Sequence, residues 1–248
     1  MPRVGNRWTA GLEAWTRDWI GWSRPPVESE PILVDSVIDW CQRCGTGTRG
    51  APCADSCWRC FGQPGMLDGV VRLGAYQGRL REMVAGLKYQ GWWEVAGPLG
   101  RLLANRLRDG ALNAGGTGII PSRTLVVPMP MPTARRFFRG IDHAGLLARA
   151  VASELGCPCR GLLSRSRGRT QVGVSRTERL QDRSRNSGAL QRRRSFGIGA
   201  NLQGVSVVLV DDVLTTGRTA RIAGRTLKQF GPSRILLAVL AVSEPDLA

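Results

Sequence analysis

Short apolar runs alternate with amphipathic segments over most of the chain beyond residue 65. GVVRLGAY and TLVVP have the composition of buried strands, whereas GRLREMVAGLKYQG, EVAGPLGRLLANRL and DHAGLLARAVASEL place apolar residues three and four positions apart, as helices do. The β-branched run at residues 205–210 is typical of a central strand covered on both faces. After Asp211 the pattern predicts a loop and then a helix over residues 219–230. This order of elements predicts an α/β domain with a parallel sheet flanked by helices.

Two segments of different composition precede this domain. The first is rich in tryptophan, and Trp8, Trp15, Trp19 and Trp22 recur with helical spacing before the proline-rich SRPPVESEP. Its short length and mixed flanking charge favour packing against the body of the protein over a membrane-interface helix. The second segment is rich in cysteine. We therefore expect three regions, namely residues 1–40, 41–64 and 65–248.

The cysteine-rich segment reads CQRCGTGTRGAPCADSCWRC and contains two Cys-x-x-Cys pairs. Four thiolates in this arrangement suit one tetrahedral zinc ion, with Cys53 as an alternative ligand. A redox role would need a Cys-x-x-Cys at the start of a helix after a strand, and this context is missing. Cys157 and Cys159, outside the segment, are expected to be buried bystanders. The predicted zinc ligands are Cys41, Cys44, Cys57 and Cys60.

The stretch VVLVDDVLTTGRT places two carboxylates between an apolar run and a threonine-rich loop. Loops that lead into a helix bind phosphate, because N–H groups at a helix start carry partial positive charge. Asp211 and Asp212 would repel that anion, but ionised carboxylates accept hydrogen bonds from the paired hydroxyls of a sugar. The stretch therefore predicts a ribose 5-phosphate ligand. The alternative interpretation is that the strand ends in acidic residues that cap an ordinary helix. This interpretation leaves the second carboxylate and the second threonine unexplained.

A second strand–loop–helix turn precedes the first along the chain. Its loop, PMPMPTARRFFRG, carries Arg135, Arg136 and Arg139 next to Gly140. Arginine forks match phosphate oxygens, so this turn is a second candidate phosphate site. A solvated basic loop is the alternative.

The chain is strongly basic, with 35 Lys+Arg against 19 Asp+Glu and a formal net charge of +16. This balance is typical of partners of polyanions, although a G+C-rich genome would also favour arginine. Residues 160–194 hold eleven arginines and two acids in a Gly/Ser-rich stretch. We expect this stretch to be a mobile basic loop that binds single-stranded DNA.

Several classes of function are disfavoured. The chain has one histidine, His143, for which a solvated surface position is favoured over acid–base catalysis, and it has no G-x-x-x-x-G-K-[ST] loop. Hydrolases with a Ser-His-Asp triad and P-loop ATPases therefore do not fit. The sequence shows neither an apolar window long enough to span a bilayer nor the apolar core of a signal peptide, so a cytoplasmic protein is expected.

Taken in order, the motifs over residues 36–243 resemble the ComF family of competence-associated proteins, which combine a zinc ribbon with a type I phosphoribosyltransferase fold. VVLVDDVLTTGRT itself resembles the phosphoribosyl pyrophosphate (PRPP) loop of type I phosphoribosyltransferases. By this resemblance Asp211 and Asp212 would hold ribose hydroxyls. The 5-phosphate would be held by Thr215, Thr216, Gly217, Arg218 and Thr219, pyrophosphate by Arg135, Arg136, Arg139 and Gly140, and a flexible lid would include Gln171, Ser175, Arg176 and Arg179.

The resemblance implies two functions. The first is a role in DNA uptake or processing, with PRPP and Mg2+ bound and with single-stranded DNA or a helicase-type ATPase as partner. The second is an active phosphoribosyltransferase, in which a nitrogenous acceptor of unknown identity displaces pyrophosphate from C1 of the ribose. Asp142 and His143 stand where family members carry an Asn-Gln pair, so the contacts of that turn stay open.

Overall fold

The computed structural model describes residues 34–35, 40–48, 57, 60, 67–113, 118–131, 142–165, 190–192 and 201–243. Several predicted features lie outside these residues. They are the tryptophan-rich segment, Cys53, the arginine loop with Arg135, Arg136, Arg139 and Gly140, and the lid residues Gln171, Ser175, Arg176 and Arg179.

Four parallel strands form the main sheet of the described region. In chain order the strands are β1 (Gly69–Ala75), β2 (Thr124–Pro128), β3 (Leu163–Arg165), β4 (Leu190–Arg192), β5 (Ser206–Leu214) and β6 (Arg234–Val242). The order in the main sheet is β1-β6-β5-β2, with every neighbouring pair parallel, and β3 pairs with β4 in a small antiparallel sheet. The parallel sheet and the central position of β5 confirm the prediction from the apolar pattern.

Four helices accompany the strands. They are α1 (Gly78–Tyr89), α2 (Ala96–Asn113), α3 (His143–Leu155) and α4 (Arg218–Lys228), with short 3-10 turns at Trp93–Val95 and Pro121–Arg123. Each matches a predicted helix, although α2 runs six residues beyond the last residue of EVAGPLGRLLANRL. Strand β6, with the sequence RILLAVLAV, was not predicted. Its apolar run is of the same kind as the run at residues 205–210, and periodicity alone does not distinguish such a run from a buried helix.

The sheet is covered on both faces, which explains its nearly continuous apolar strands. Alternate residues of β5 enter two different cores. Val208 and Val210 pack with residues of α1, α2 and α3, while Val207 and Leu209 pack with residues of α4. Within the described residues, no helix is both long enough and apolar enough to cross a membrane.

Strand β5 is longer than the sequence predicts. The predicted loop after Asp211 is wrong, because the strand continues through Asp212 to Leu214. The reason is the partner strand: β6 is also nine residues long, and its pairing with β5 continues to Leu214 opposite Val242. The two carboxylates therefore lie on a hydrogen-bonded strand, which fixes their backbone positions.

Candidate functional site

The acidic pair and the threonine loop lie where the parallel strands end, at the carboxyl edge of the sheet. Ligands of open α/β sheets bind at this edge. A pocket of about 360 Å³ opens there, and its walls include two carboxylates, two cations and both tyrosines of the chain. These six residues are Asp211, Asp212, Lys88, Arg165, Tyr76 and Tyr89.

Lys88 forms an ion pair with Asp212 inside this pocket. The distance from Nζ to Oδ1 is 2.9 Å, and each side chain is 15% exposed. Lys88 belongs to the last turn of α1, more than a hundred residues from Asp212 along the chain. Sequence reasoning assigned Lys88 no role; the signal available was that Lys88 and Lys228 are the only lysines in an arginine-rich chain.

The environment of Asp211 favours its neutral form. Burial raises the pKa of Asp211 to about 7, and the negative charge of Asp212 acts in the same direction. The Asp212 N–H, which donates to Asp211 Oδ1 at 2.9 Å, and the charges of Lys88 and Arg165 lower that pKa. The two cations thus help to keep a pair of adjacent carboxylates available as acceptors near neutral pH.

The predicted phosphate loop directly follows these carboxylates. Gly217 has a left-handed φ of 70° at the N-cap of α4, and a small cleft of about 60 Å³ is lined by the loop and the first turn of that helix. Asp211, Thr215 and Thr219 border both this cleft and the larger pocket. The structure therefore joins the predicted hydroxyl-binding and phosphate-binding residues in one site.

Arg165 is a site residue that the sequence reasoning missed. The prediction of one basic loop over residues 160–194 is wrong for residues 163–165 and 190–192, which form strands β3 and β4. Arg165 Nε donates to the carbonyl of Pro130 at 2.9 Å, and the side chain lines the pocket. Pairing in the small sheet fixes this arginine near the acidic pair.

His143 is buried, with 1% of its surface exposed, so the expected solvated position is wrong. It is the first residue of α3, and packing of that helix against the sheet encloses it. The neighbouring Asp142 is the N-cap, since its Oδ1 accepts a hydrogen bond from the Gly145 N–H at 3.0 Å. Asp142 therefore stabilises the start of α3.

The predicted zinc ligands converge. The four Sγ atoms lie within 4.8 Å of one another, with 3.3 Å between Cys44 and Cys57 and 3.7 Å between Cys41 and Cys60. Thiolates at about 2.3 Å from a tetrahedral zinc would be about 3.8 Å apart, so the set fits the ion. Hydrogen bonding to Cys41 and burial raise the pKa of the Cys44 thiol, so binding of zinc has to displace protons. Outside the cluster, Cys157 is buried as expected, whereas the expected burial of Cys159 is wrong, because its thiol is only partly buried.

The cysteine-rich unit is attached to the edge strand β1. The carbonyl of Gln42 accepts from Val70 N–H at 2.6 Å, and buried Arg72 of β1 donates to the carbonyl of Gly45 at 2.8 Å. Arg72 also pairs with Asp35 at 2.6 Å. These contacts cover an exposed strand edge, which would otherwise be a pairing site for other chains.

Comparisons with known proteins agree with the motifs and the fold. Residues 134–246 match the phosphoribosyl transferase domain family. DNA utilization protein YhgH of Salmonella typhi is 29% identical to this chain over 80% of this chain and 82% of its own length. Competence protein F of Haemophilus influenzae is 28% identical over 82% of this chain and 84% of its own length. The chain is a homologue of these two proteins. The resemblance to ComF proteins that the motifs indicated is thereby confirmed.

The fold is that of the type I phosphoribosyltransferases, as the domain match and the parallel sheet flanked by helices show. A purine phosphoribosyltransferase structure from Pyrococcus horikoshii aligns at 19% identity, over 62% of this chain and 76% of its own, with a TM-score of 0.36.

Lys88→Met is expected to make stability more sensitive to pH. Because its pKa is raised to about 7, Asp211 keeps a proton in the folded state that the unfolded chain releases near pH 4. The contribution of Asp211 to stability is therefore fully present below about pH 4 and is lost as the pH rises through 7. Without Lys88 we expect a further loss of about 1 kcal/mol in the free energy of unfolding at pH 8 and a smaller loss at pH 5. Thermal unfolding at both pH values measures this.

Lys228→Met is the matched control, since Lys228 is the other lysine and is exposed at the end of α4. It should change stability equally at the two pH values. The same loss at pH 5 and pH 8 for Lys88→Met would show that Lys88 does not control the ionisation of the acidic pair.

Proposed function

We propose that this protein binds PRPP, or a related ribose 5-phosphate, together with Mg2+ and acts in DNA uptake or processing. The observation that carries the proposal is that one pocket joins two adjacent carboxylates to a loop at a helix start. A ribose 5-phosphate has the matching groups, since its paired hydroxyls are donors and its phosphate is an anion. The two carboxylates therefore favour a phosphate ligand that carries free sugar hydroxyls over a phosphate ligand that lacks them.

The roles follow from the chemistry of each group. Asp211 and Asp212 accept hydrogen bonds from the ribose hydroxyls. The 5-phosphate is held by the loop residues Thr215, Thr216, Gly217, Arg218 and Thr219. Mg2+ neutralises the pyrophosphate of PRPP and arrives with it. The resemblance to ComF proteins further implies that pyrophosphate is held by Arg135, Arg136, Arg139 and Gly140, and that a lid includes Gln171, Ser175, Arg176 and Arg179.

The proposed setting is the handling of DNA in the cytoplasm. Two relatives that cover most of the chain are named for DNA utilization and for competence. A net charge of +16 suits a protein that meets single-stranded DNA. A helicase-type ATPase is the proposed protein partner, as the resemblance to ComF proteins implies.

A second candidate is phosphoribosyl transfer to a nitrogenous acceptor. It is favoured by the apolar and aromatic side chains that line the pocket, which include Tyr76, Tyr89, Met129 and Met131. An aromatic heterocycle would suit these side chains. In this reaction a ring nitrogen forms a bond to C1 as the bond from C1 to pyrophosphate breaks. Pyrophosphate release with PRPP and a panel of nucleobases tests it.

PRPP with Mg2+ is expected to stabilise the protein against thermal unfolding. At a hundredfold excess over the dissociation constant, a ligand that binds only the folded state adds about 2.7 kcal/mol. Replacing both acidic residues, Asp211→Asn with Asp212→Asn, should abolish the ligand-induced shift, because amides are poorer acceptors than carboxylates for the hydroxyls. Each variant is compared with and without ligand, since the substitutions also change the intrinsic stability.

Asp109→Asn is the control, because Asp109 is an exposed carboxylate on α2. Its melting shift with PRPP should equal that of the unsubstituted protein. A melting curve that does not respond to millimolar PRPP and Mg2+ would refute the proposed ligand.

A further inference from the structure

Helix α4 exposes a row of basic side chains that begins at the phosphate loop. The opposite face of the helix is apolar and includes Ala223 and Leu227, both buried in the core. The helix contains no acidic residue, and at 1.5 Å of rise per residue its basic row extends about 15 Å. This α4 basic row consists of Arg218, Arg221, Arg225 and Lys228, all exposed.

Some arginines of other helices form ion pairs with acidic residues. On α2, Arg101 and Arg108 both lie within 4 Å of the Glu154 carboxylate. Among the described residues, the last three members of the α4 basic row form no ion pair. The general arginine content of the chain therefore does not account for a row of cations on one helix face without acids between them.

The row continues from the ligand site without a break. Arg218 is both the first residue of α4 and part of the phosphate loop, and Arg221 donates to the carbonyl of Thr216 at 3.2 Å. Thr215 and Thr216 are exposed, so the loop is open to solvent. A phosphate held by this loop can thus carry a further substituent that extends along α4.

A ribose or deoxyribose with a 5′-phosphate and a free hydroxyl also occurs at the 3′ end of a nucleic-acid strand. The phosphate of that terminal nucleotide links it to the preceding nucleotide, and only the terminal sugar keeps a free 3′-hydroxyl. An internal nucleotide carries a phosphate in place of that hydroxyl, so it has no donor for the carboxylates of Asp211 and Asp212. The site chemistry therefore distinguishes the 3′ end from the rest of a strand.

We propose that this site binds the 3′-terminal nucleotide of single-stranded DNA, with the preceding phosphates along the α4 basic row. The terminal hydroxyl donates to the acidic pair, and the phosphodiester lies at the threonine loop. The base, attached at C1, lies toward the pocket side chains Tyr76 and Tyr89. This inference rests on the proposed function, because it assigns the same groups to the sugar and to its phosphate.

Binding of a 5′-labelled oligonucleotide, followed by fluorescence anisotropy, tests the proposal. A strand that ends in a 3′-hydroxyl should bind about tenfold more tightly than the same strand with a 3′-phosphate, the factor expected for one charge-assisted hydrogen bond. A DNA strand that ends in one ribonucleotide offers both a 2′-hydroxyl and a 3′-hydroxyl, so it should bind more tightly still. PRPP with Mg2+ should displace the strand. Equal affinity for the 3′-hydroxyl and 3′-phosphate strands would overturn the proposal.

Substitutions separate the two parts of the surface. The triple change of Arg221, Arg225 and Lys228 to glutamine should reduce the slope of log affinity against log salt by about 2, since each neutralised phosphate of a single strand contributes about 0.7. Binding of PRPP should be unaffected. The matched control changes three exposed arginines elsewhere, Arg101, Arg108 and Arg123, to glutamine and should leave the slope unchanged. The same loss of slope in both variants would refute a role specific to α4.

The outcomes also distinguish this inference from the proposed function. A protein that binds PRPP but does not discriminate between strand ends retains its proposed ligand and loses the 3′-end site. If PRPP does not bind, the double change Asp211→Asn and Asp212→Asn decides the inference directly. Loss of the preference for a 3′-hydroxyl in that variant supports the 3′-end site, and an unchanged preference overturns it.

Discussion

Replacing Cys57 with serine is expected to abolish binding of one zinc ion per chain and to release the cysteine-rich unit from the edge of the sheet. Cys57 Sγ lies 3.3 Å from Cys44 Sγ and 3.7 Å from Cys60 Sγ, so its loss removes one corner of the tetrahedron. Structural zinc sites contribute on the order of 10 kcal/mol, and this free energy is coupled to folding of the unit. Elemental analysis of the purified protein gives the zinc content.

Amide hydrogen exchange locates the structural effect of this substitution. Because Gln42 and Gly45 contact Val70 and Arg72 of β1, exchange should increase in β1. It should not change in β5, which lies in the interior of the sheet. Cys159→Ser, in a partly buried thiol outside the cluster, is the control and should retain one zinc. Full zinc content in the Cys57→Ser protein would refute the four-cysteine site.

The parts of the site that lie in one continuous stretch of sequence could be predicted. Asp211, Asp212 and the threonine loop are consecutive, and the strand before them and the helix after them have clear patterns. Such a stretch specifies its own local geometry, because a strand that leads through a glycine-containing loop into a helix has few alternatives. The zinc ligands were predictable for the same reason, since each Cys-x-x-Cys pair is a local unit.

The parts contributed by distant elements could not be predicted. Lys88 and Arg165 reach the acidic pair from α1 and β3, and nothing in their local patterns indicates which strand they face. The buried position of His143 likewise depends on how α3 packs against the sheet. The extension of β5 depends on the length of its partner β6. Each of these is a property of pairs of elements, which the pattern of a single segment does not contain.

Gly86 fixes the part of α1 that carries Lys88 and Tyr89 to the site. The ring of Trp92, which is buried, packs directly on this glycine. The Gly86 carbonyl also accepts hydrogen bonds from the N–H groups of Gln90 at 2.9 Å and Trp92 at 3.2 Å, which end the helix and turn the chain back. A Cβ at this position would lie 1.9 Å from Trp92 Cε3, a distance that no packed structure tolerates. The absence of a side chain here therefore determines where the end of α1 lies.

Gly86→Ala is expected to destabilise the protein by about 3 kcal/mol, the upper part of the range for overpacked cores, because Trp92 or the end of α1 has to move. Either movement displaces Lys88 from Asp212, so the ligand-induced melting shift with PRPP and Mg2+ should also decrease. Gly97→Ala is the matched control: Gly97 is in the first turn of α2, a Cβ there meets nothing within 4 Å beyond its chain neighbours, and Pro98 directly after it offsets the higher helix propensity of alanine, so stability should change by no more than about 0.5 kcal/mol. Chemical denaturation measures both changes. A Gly86→Ala protein as stable as Gly97→Ala would mean that Trp92 does not hold α1 in place, and the position of Lys88 in the site would then need another explanation.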